Sequence, residues 1–167
     1  MPVRPVVRLP DPVLKRVADP VAEIGPEEKA LAADLLDTMF AAPSCVGVAA
    51  PQIGISLRAF SVDVTGHKKA DSCHGPFVLF NPVLVLARHL ELGREGCLSV
   101  PDLTGNVARA TEVVMRGLTP EGTTRVIEAN AFEARALLHE LDHLDGLLFL
   151  DRVGSVSTDV FRRKRYK

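Results

Sequence analysis

The sequence predicts a single α+β domain in which antiparallel β-sheets pack around a central helix. Helical patterns occur near both ends of the chain, and strand patterns separated by turn residues lie between them. Strands and helices do not alternate regularly, as they would in a parallel sheet. At 167 residues the chain suits one compact core and is too short for two ordinary domains. We place this domain at residues 1–152 and a basic C-terminal tail at residues 153–167.

The first helix is predicted to begin at about Pro26 and to end by Pro43. Proline is favoured in the first helical turn, and the acidic Glu27 and Glu28 would lie beside the positive end of the helix dipole. The helical spacing gathers four side chains on one stripe: Leu31, Leu35, Thr38 and Met39. Such a stripe indicates the face that packs on the core.

Strands are predicted in the middle of the chain. Residues 58–64 alternate between two faces, residues 77–80 form a short apolar run, and residues 83–87 are a candidate continuation of that run. Residues 112–118 and 124–129 flank the turn sequence TPEG, with Pro and Gly where a tight turn favours them. These last two segments predict a β-hairpin.

The last helix is predicted over residues 130–144, with Gly146 at the position that favours a left-handed cap. His139 and His143 lie four residues apart, so both imidazoles occupy one face and can bind one metal ion. Glu140 lies beside them. On the far side of the helix lie the packing residues Ala134, Leu137, Leu141 and Leu144. The pattern predicts a central helix that carries a metal site.

A catalytic metal also needs a third protein ligand and an open position for water. Glu140 is the last glutamate and His143 the last histidine of the chain. Downstream, three aspartates remain as alternative ligands: Asp145, Asp151 and Asp159. Upstream, Cys97 offers a thiolate at residues 95–99, a segment predicted to be a turn or a strand end, and a thiolate binds borderline-soft divalent ions well. We therefore expect Cys97 to be the third ligand.

The predicted site suggests a hydrolytic mechanism. A divalent ion held by Cys97, His139 and His143 would lower the pKa of a bound water. Glu140, adjacent to the ligands, would accept the proton of that water and return it to the leaving group.

Two other interpretations of the histidine pair remain open. A metallopeptidase is less favoured because no glutamate or histidine follows His143 as a third ligand. A structural zinc module would need a fourth protein ligand. The candidates for it lie in polar, loop-like sequence, where we expect surface residues: His67, Cys73, His74 and His89.

Composition and charge favour a cytoplasmic protein. Three cysteines at irregular spacing argue against a disulfide framework. We find neither an apolar run long enough to span a membrane nor an apolar segment typical of a secretory signal. A net charge of −1 gives no reason to expect membrane or sequence-specific nucleic-acid binding.

Residues 151–167 contain six Lys/Arg and two Asp/Glu, which indicates either a solvated, frayed terminus or contact with an RNA-rich partner.

Three motifs in this order resemble those of the peptide deformylases. Residues 47–52 (GVAAPQ), 95–99 (EGCLS) and 139–146 (HELDHLDG) are similar to the family patterns G-φ-G-φ-A-A-x-Q, E-G-C-L-S and H-E-φ-D-H-L-x-G. The resemblance runs from about residue 7 to about residue 152. Two positions depart from the patterns: Cys45 replaces a glycine, and Leu138 replaces a glutamine. We expect Cys45 near the mouth of the site and Leu138 packed in the core.

The resemblance implies a metal-dependent hydrolase that removes the formyl group from the formyl-methionine of newly synthesised polypeptides. Its partners would be formyl-methionyl nascent peptides and, through the basic tail, a transient contact with the ribosome. The resemblance also implies that the Gln52 side-chain amide and the Leu98 backbone N–H stabilise the charge that develops on the formyl oxygen. It implies Fe²⁺ as the ion, with Ni²⁺ or Zn²⁺ as substitutes, whereas ligand chemistry alone favours zinc.

Glycines and apolar residues indicate how such a peptide would bind. Gly47 and Gly96 have no Cβ and would let an extended substrate backbone approach closely. The substrate would then add an antiparallel strand contact and place its methionine side chain in an apolar pocket. We expect that pocket to be lined by Val46, Phe132 and the stem of Arg135.

Overall fold

The computed structural model describes residues 3–163. The helices are α1 (Pro26–Ala41), α2 (Ala131–Leu144) and the one-turn α3 (Val156–Asp159). The strands are β1 (Gly47–Ala49), β2 (Ala59–Val62), β3 (Phe77–Cys97), β4 (Val100–Leu118), β5 (Thr124–Asn130) and β6 (Val160–Arg162). Short 3₁₀ helices occupy Pro12–Lys15, Ala50–Ile53 and Phe149–Asp151. The α+β prediction is confirmed.

The six described strands form one antiparallel sheet in the order β1-β2-β3-β4-β5, and β6 pairs with β4. The segments expected at 77–80 and 83–87 are both parts of β3, which continues to Cys97. β2 pairs only with the first four residues of β3. Beyond them β3 pairs with β4 alone, and all residues from 83 to 92 are exposed. On the other side of β4, strand β5 pairs with Glu112–Leu118 and β6 with Leu103–Gly105, so the sheet has only two strands between these segments.

Helix α2 packs against β1, β2, β4 and β5. Its expected packing face is buried, with Leu137 and Leu144 fully inaccessible to solvent. The opposite face is also covered, because Glu140 is 3% and His143 is 0% exposed. Gly146 follows the helix with a φ of +76°, the left-handed conformation expected there. The helix is thus central, with its polar face turned toward an internal site.

The described part of the tail lies against the sheet. After α3, strand β6 pairs with Leu103–Gly105 of β4, and the Arg163 backbone N–H donates to the Asp102 carbonyl. This segment is ordered, unlike the frayed terminus that was one of the two expectations. Residues 164–167, which carry three of the basic charges, lie outside the described residues.

Within residues 3–163, none of the helices has the length and apolar character needed to cross a membrane.

Candidate active site

Cys97, His139 and His143 converge although the cysteine is more than 40 positions from the histidines. Cys97 ends β3, and the histidines project from adjacent turns of α2. Their ligand atoms all lie within 4.8 Å of one another, and the Cys97 Sγ is 3.4 Å from the His143 Nε2. Tetrahedral coordination with ordinary metal–sulfur and metal–nitrogen lengths would place these two atoms about 3.5 Å apart. The spacing therefore fits one ion, and no other such group occurs within residues 3–163.

The charges around the three side chains favour metal binding. Burial alone would raise the pKa of the Cys97 thiol, but the adjacent His143 and His139 hold that pKa well below its ordinary value. The thiolate is the form that binds metals. The His139 Nδ1 lies 2.9 Å from a carboxylate oxygen of Glu95. Because a carboxylate only accepts hydrogen bonds, Nδ1 carries the proton and Nε2 is left with its lone pair available to a metal.

Glu140 lies over the backbone of Gly47. A Cβ built on Gly47 would lie 2.7 Å from the Glu140 Oε2, so only glycine fits at this position. Burial raises the pKa of Glu140, and its Oε1 is buried with no hydrogen-bond partner among the described residues. An unsatisfied buried oxygen of this kind fits a carboxyl group that exchanges a proton with a bound molecule.

Gln52 is fixed with its amide nitrogen directed at the same point. Its Oε1 accepts the Ala49 backbone N–H at 2.9 Å. Its Nε2 lies 3.4 Å from the Cys97 Sγ and 3.2 Å from the Ser99 Oγ. The side chain is 1% exposed, so this orientation is held by packing as well as by hydrogen bonds.

A cavity of about 400 Å³ opens onto these groups. The cavity is lined by Leu98 and by all five residues expected to bind the substrate: Val46, Gly47, Gly96, Phe132 and Arg135. Two details differ from expectation. The space over Gly47 holds the Glu140 carboxylate, and the space over Gly96 holds the guanidinium of Arg163. The Arg135 guanidinium is held by hydrogen bonds that it donates to the Glu95 carboxylate and to two backbone carbonyls.

A buried ionic network behind His139 was missed in the sequence. The Glu95 carboxylate accepts two hydrogen bonds from Arg109, at 2.9 and 3.0 Å, as well as those of His139 and Arg135. Arg109 also donates to Asp142, which in turn binds Arg152. Glu95 and Asp142 stand inside the quoted motifs, and that was the only signal for them. Arg109 has no local signal, because its role depends on where β4 lies.

Cys45 and Leu138 lie where their departures from the family patterns suggested. Cys45 lines the cavity, and its S–H donates to the Gly47 carbonyl at 3.2 Å. Burial raises the pKa of Cys45 to about 11, so this thiol stays protonated at neutral pH. Leu138 is half-buried and packs against the main core cluster.

The histidines considered for a structural zinc site lie elsewhere. His89 and Cys73 are exposed, as expected. His67 and His74 are half-buried: His67 stacks on Phe132, and the His74 Nδ1 lies 2.7 Å from a Glu133 oxygen. None of them joins the group around Cys97. Within residues 3–163, that group therefore offers three protein ligands, as a catalytic site does, rather than the four of a structural site.

Comparisons with known proteins agree with this geometry. A family model for polypeptide deformylase matches residues 3–159. The peptide deformylase of Bartonella tribocorum is 41% identical over 165 residues, covering 98% of this chain and 92% of the relative. The crystal structure of the Thermotoga maritima peptide deformylase has a TM-score of 0.84 at 31% identity, covering 93% of this chain and all of that one. An Ehrlichia chaffeensis peptide deformylase in complex with actinonin has a TM-score of 0.87 at 30% identity, covering 94% and 92%.

Proposed function

The chain belongs to the polypeptide deformylase family, and from this premise we propose which of its residues carry out the reaction. The enzyme is a metal-dependent hydrolase that removes the formyl group from the formyl-methionine of newly synthesised polypeptides and releases formate. Cys97, His139 and His143 hold one divalent ion, and Glu140 moves the proton. The observation that carries this proposal is that Cys97, His139 and His143 converge beside a cavity that Cys97, His139 and Glu140 line.

The ion, when bound, supplies a Lewis acid and lowers the pKa of a water molecule. The Glu140 carboxylate takes a proton from the attacking water as the water oxygen bonds to the formyl carbon. It then delivers that proton to the methionine nitrogen as the C–N bond breaks, so that formic acid and the free amine leave and the formic acid ionises to formate. The pKa of Glu140, raised by burial, suits a group that must both accept and donate a proton.

Gln52 and Leu98 stabilise the transition state. Negative charge develops on the formyl oxygen, and fixed donors aimed at that oxygen lower the barrier. The Gln52 Nε2 already points at the ligand cluster, and Leu98 lines the same cavity one residue after the ligand Cys97. The methionine side chain packs on Val46, Phe132 and the stem of Arg135.

We propose Fe²⁺ as the physiological ion, with Ni²⁺ or Zn²⁺ as substitutes. The family resemblance supports iron. The anionic Cys97 thiolate also donates charge and so weakens zinc as a Lewis acid. We place the enzyme in the cytoplasm, with nascent chains as substrates and a transient ribosome contact through the basic tail. The exposed Arg162 would contribute to that contact.

The test is anaerobic purification with metal analysis, followed by an assay on formyl-Met-Ala-Ser and on its unformylated counterpart. We expect one ion per chain and release of formate from the formylated peptide only. Cleavage of the unformylated peptide bond would instead favour the metallopeptidase.

Two variants separate the assigned roles. Glu140→Ala should keep the fold and the metal but lower kcat by at least about 100-fold, because it removes the acid–base group. Cys97→Ala should lose the metal, whereas Cys73→Ala, which changes an exposed thiol, should keep both metal and activity. Unchanged activity in Glu140→Ala, or an unchanged metal content in Cys97→Ala, contradicts the proposal.

A further inference from the structure

Arg163 reaches from the C-terminal segment into the catalytic cavity. Its backbone is held beside β4 by the bond to the Asp102 carbonyl, and its side chain lines the cavity with Gly96 and Cys97. A Cβ built on Gly96 would lie 3.2 Å from the Arg163 Cζ. The Arg163 side chain therefore extends from the segment beside β4 and lies over Gly96 near the end of β3. Gly96 is the residue before the candidate metal ligand Cys97.

The charge of Arg163 is not neutralised within the described part of the chain. No carboxylate of residues 3–163 lies within 4.0 Å of its guanidinium. The guanidinium groups of the other two arginines that line the cavity contact other side chains. Arg135 pairs with Glu95, and Arg94 donates to Asn106 while its Cζ lies 3.7 Å from the centre of the Phe161 ring.

The acids of the cavity do not offset this charge. Among residues 3–163, only Glu95 and Glu140 line the cavity with carboxylates. Glu95 is already paired with Arg109 and Arg135, and Glu140 is buried under the backbone of Gly47. The rim beside Gly96 is therefore positive, because neither Arg163 nor Arg94 pairs with a carboxylate of residues 3–163.

An extended peptide would meet this charge soon after its methionine. With the formyl group at the ligand cluster, a strand that runs along Gly96 advances about 3.3 Å per residue. The guanidinium thus lies within reach of the side chains one or two positions after methionine.

We propose that Arg163 is a specificity-determining residue that selects formyl-methionyl chains with an acidic side chain at the first or second position after methionine. This inference rests on the proposed function. An aspartate or glutamate there pairs with the guanidinium, and a lysine meets a like charge. An ion pair at an accessible rim changes affinity only a few-fold and weakens as salt is added.

The test compares kcat/KM on four peptides: formyl-Met-Glu-Ala, formyl-Met-Lys-Ala, formyl-Met-Ala-Glu and formyl-Met-Ala-Lys. All carry amidated C-termini, so that the terminal carboxylate cannot substitute for a side chain. At low ionic strength we expect the wild type to favour the glutamate peptide of at least one pair by about three- to tenfold, mainly through KM. Arg163→Gln should bring that ratio close to one, Arg163→Glu should invert it, and Arg163→Lys should retain part of it.

Arg162→Gln is the matched control, because Arg162 is exposed on β6 and does not line this cavity. It should leave the ratio unchanged. An equal change in both arginine variants would indicate a general charge effect and overturn the proposal. So would a wild-type ratio of one, or an equal rise of kcat/KM on all peptides in Arg163→Gln, which would make the side chain a steric block. If the wild type released formate from none of the peptides, the proposed function would fail, and this inference with it.

Discussion

Replacing Glu95 by glutamine should weaken both the fold and the metal site. The Glu95 carboxylate accepts four hydrogen bonds, two from Arg109, one from Arg135 and one from His139. The side chains of Glu95 and Arg109 are only 4% and 5% exposed. The Glu95→Gln change keeps the shape but removes the charge, so Arg109 would keep Asp142 as its only carboxylate partner.

The magnitude follows from this burial. Removing one partner of a buried ion pair costs about 3–5 kcal/mol, because the remaining charge cannot be hydrated. For a chain of this length, 1 kcal/mol corresponds to about 2–4 °C in Tm, so we expect a decrease of roughly 6–20 °C. The loss of the bond to the His139 Nδ1 should in addition weaken metal binding by about 10- to 100-fold.

Two measurements test these expectations. Thermal unfolding followed by circular dichroism gives the change in Tm, and competition with a chromophoric chelator gives the metal Kd. Glu91→Gln is the matched control, because Glu91 is an exposed glutamate on the same strand, and it should change both values little. A loss of less than about 1 kcal/mol together with an unchanged metal Kd would refute the reasoning, since the network would then neither stabilise the fold nor position His139.

Three further changes have defined outcomes. Gln52→Ala should lower kcat by about 10²–10³-fold with the metal retained, and a wild-type kcat would remove Gln52 from transition-state stabilisation. Leu137→Ala, at a position with no exposed surface, should cost about 2–5 kcal/mol in urea unfolding, and a smaller loss would mean that α2 is less central than described. Lys15→Met tests the surface ion pair between Lys15 and Asp151. Partial burial alone would raise the pKa of Asp151, but the Lys15 ammonium lowers it. The pair therefore stabilises the fold above the unfolded-state pKa of Asp151 and stops doing so as the pH falls through the folded-state value. Because both side chains are more than a third exposed, the variant should lose less than about 1 kcal/mol at pH 7, and the loss should become smaller as the pH falls through the lowered pKa of Asp151. A loss that stayed the same as the pH fell would contradict the assignment.

Local patterns were sufficient for α1, for α2 and for one hairpin. The predicted bounds of α1 and α2 agree with the structure to within about two residues, because proline, capping and periodic burial act within a few turns. The turn between β4 and β5 was also predicted correctly, with Gly122 at a φ of +83°. Of the long strands β3 and β4, residues 77–80, 83–87 and 112–118 were predicted, whereas residues 88–97 and 100–111 were not. Since residues 88–92 are all exposed, no alternation of buried and exposed side chains marks them as a strand.

The short strands could not be predicted for a different reason. β1 and β6 have three residues each, too few for any periodic signal. They are strands only because β2 and β4 lie beside them. The described part of the tail therefore owes its order to a partner strand more than 50 positions away.

By itself the sequence determined the chemistry of the site: two histidines one turn apart on a helix, a glutamate beside them and a thiol in the middle of the chain. These choices depend on residue type and on helical spacing, which are local properties. Only the tertiary structure decided that Arg109 joins Glu95 to Asp142 and that Arg163 lies over Gly96. Those contacts depend on strand register and on the packing of α2 against the sheet, and the whole chain must fold before either is defined.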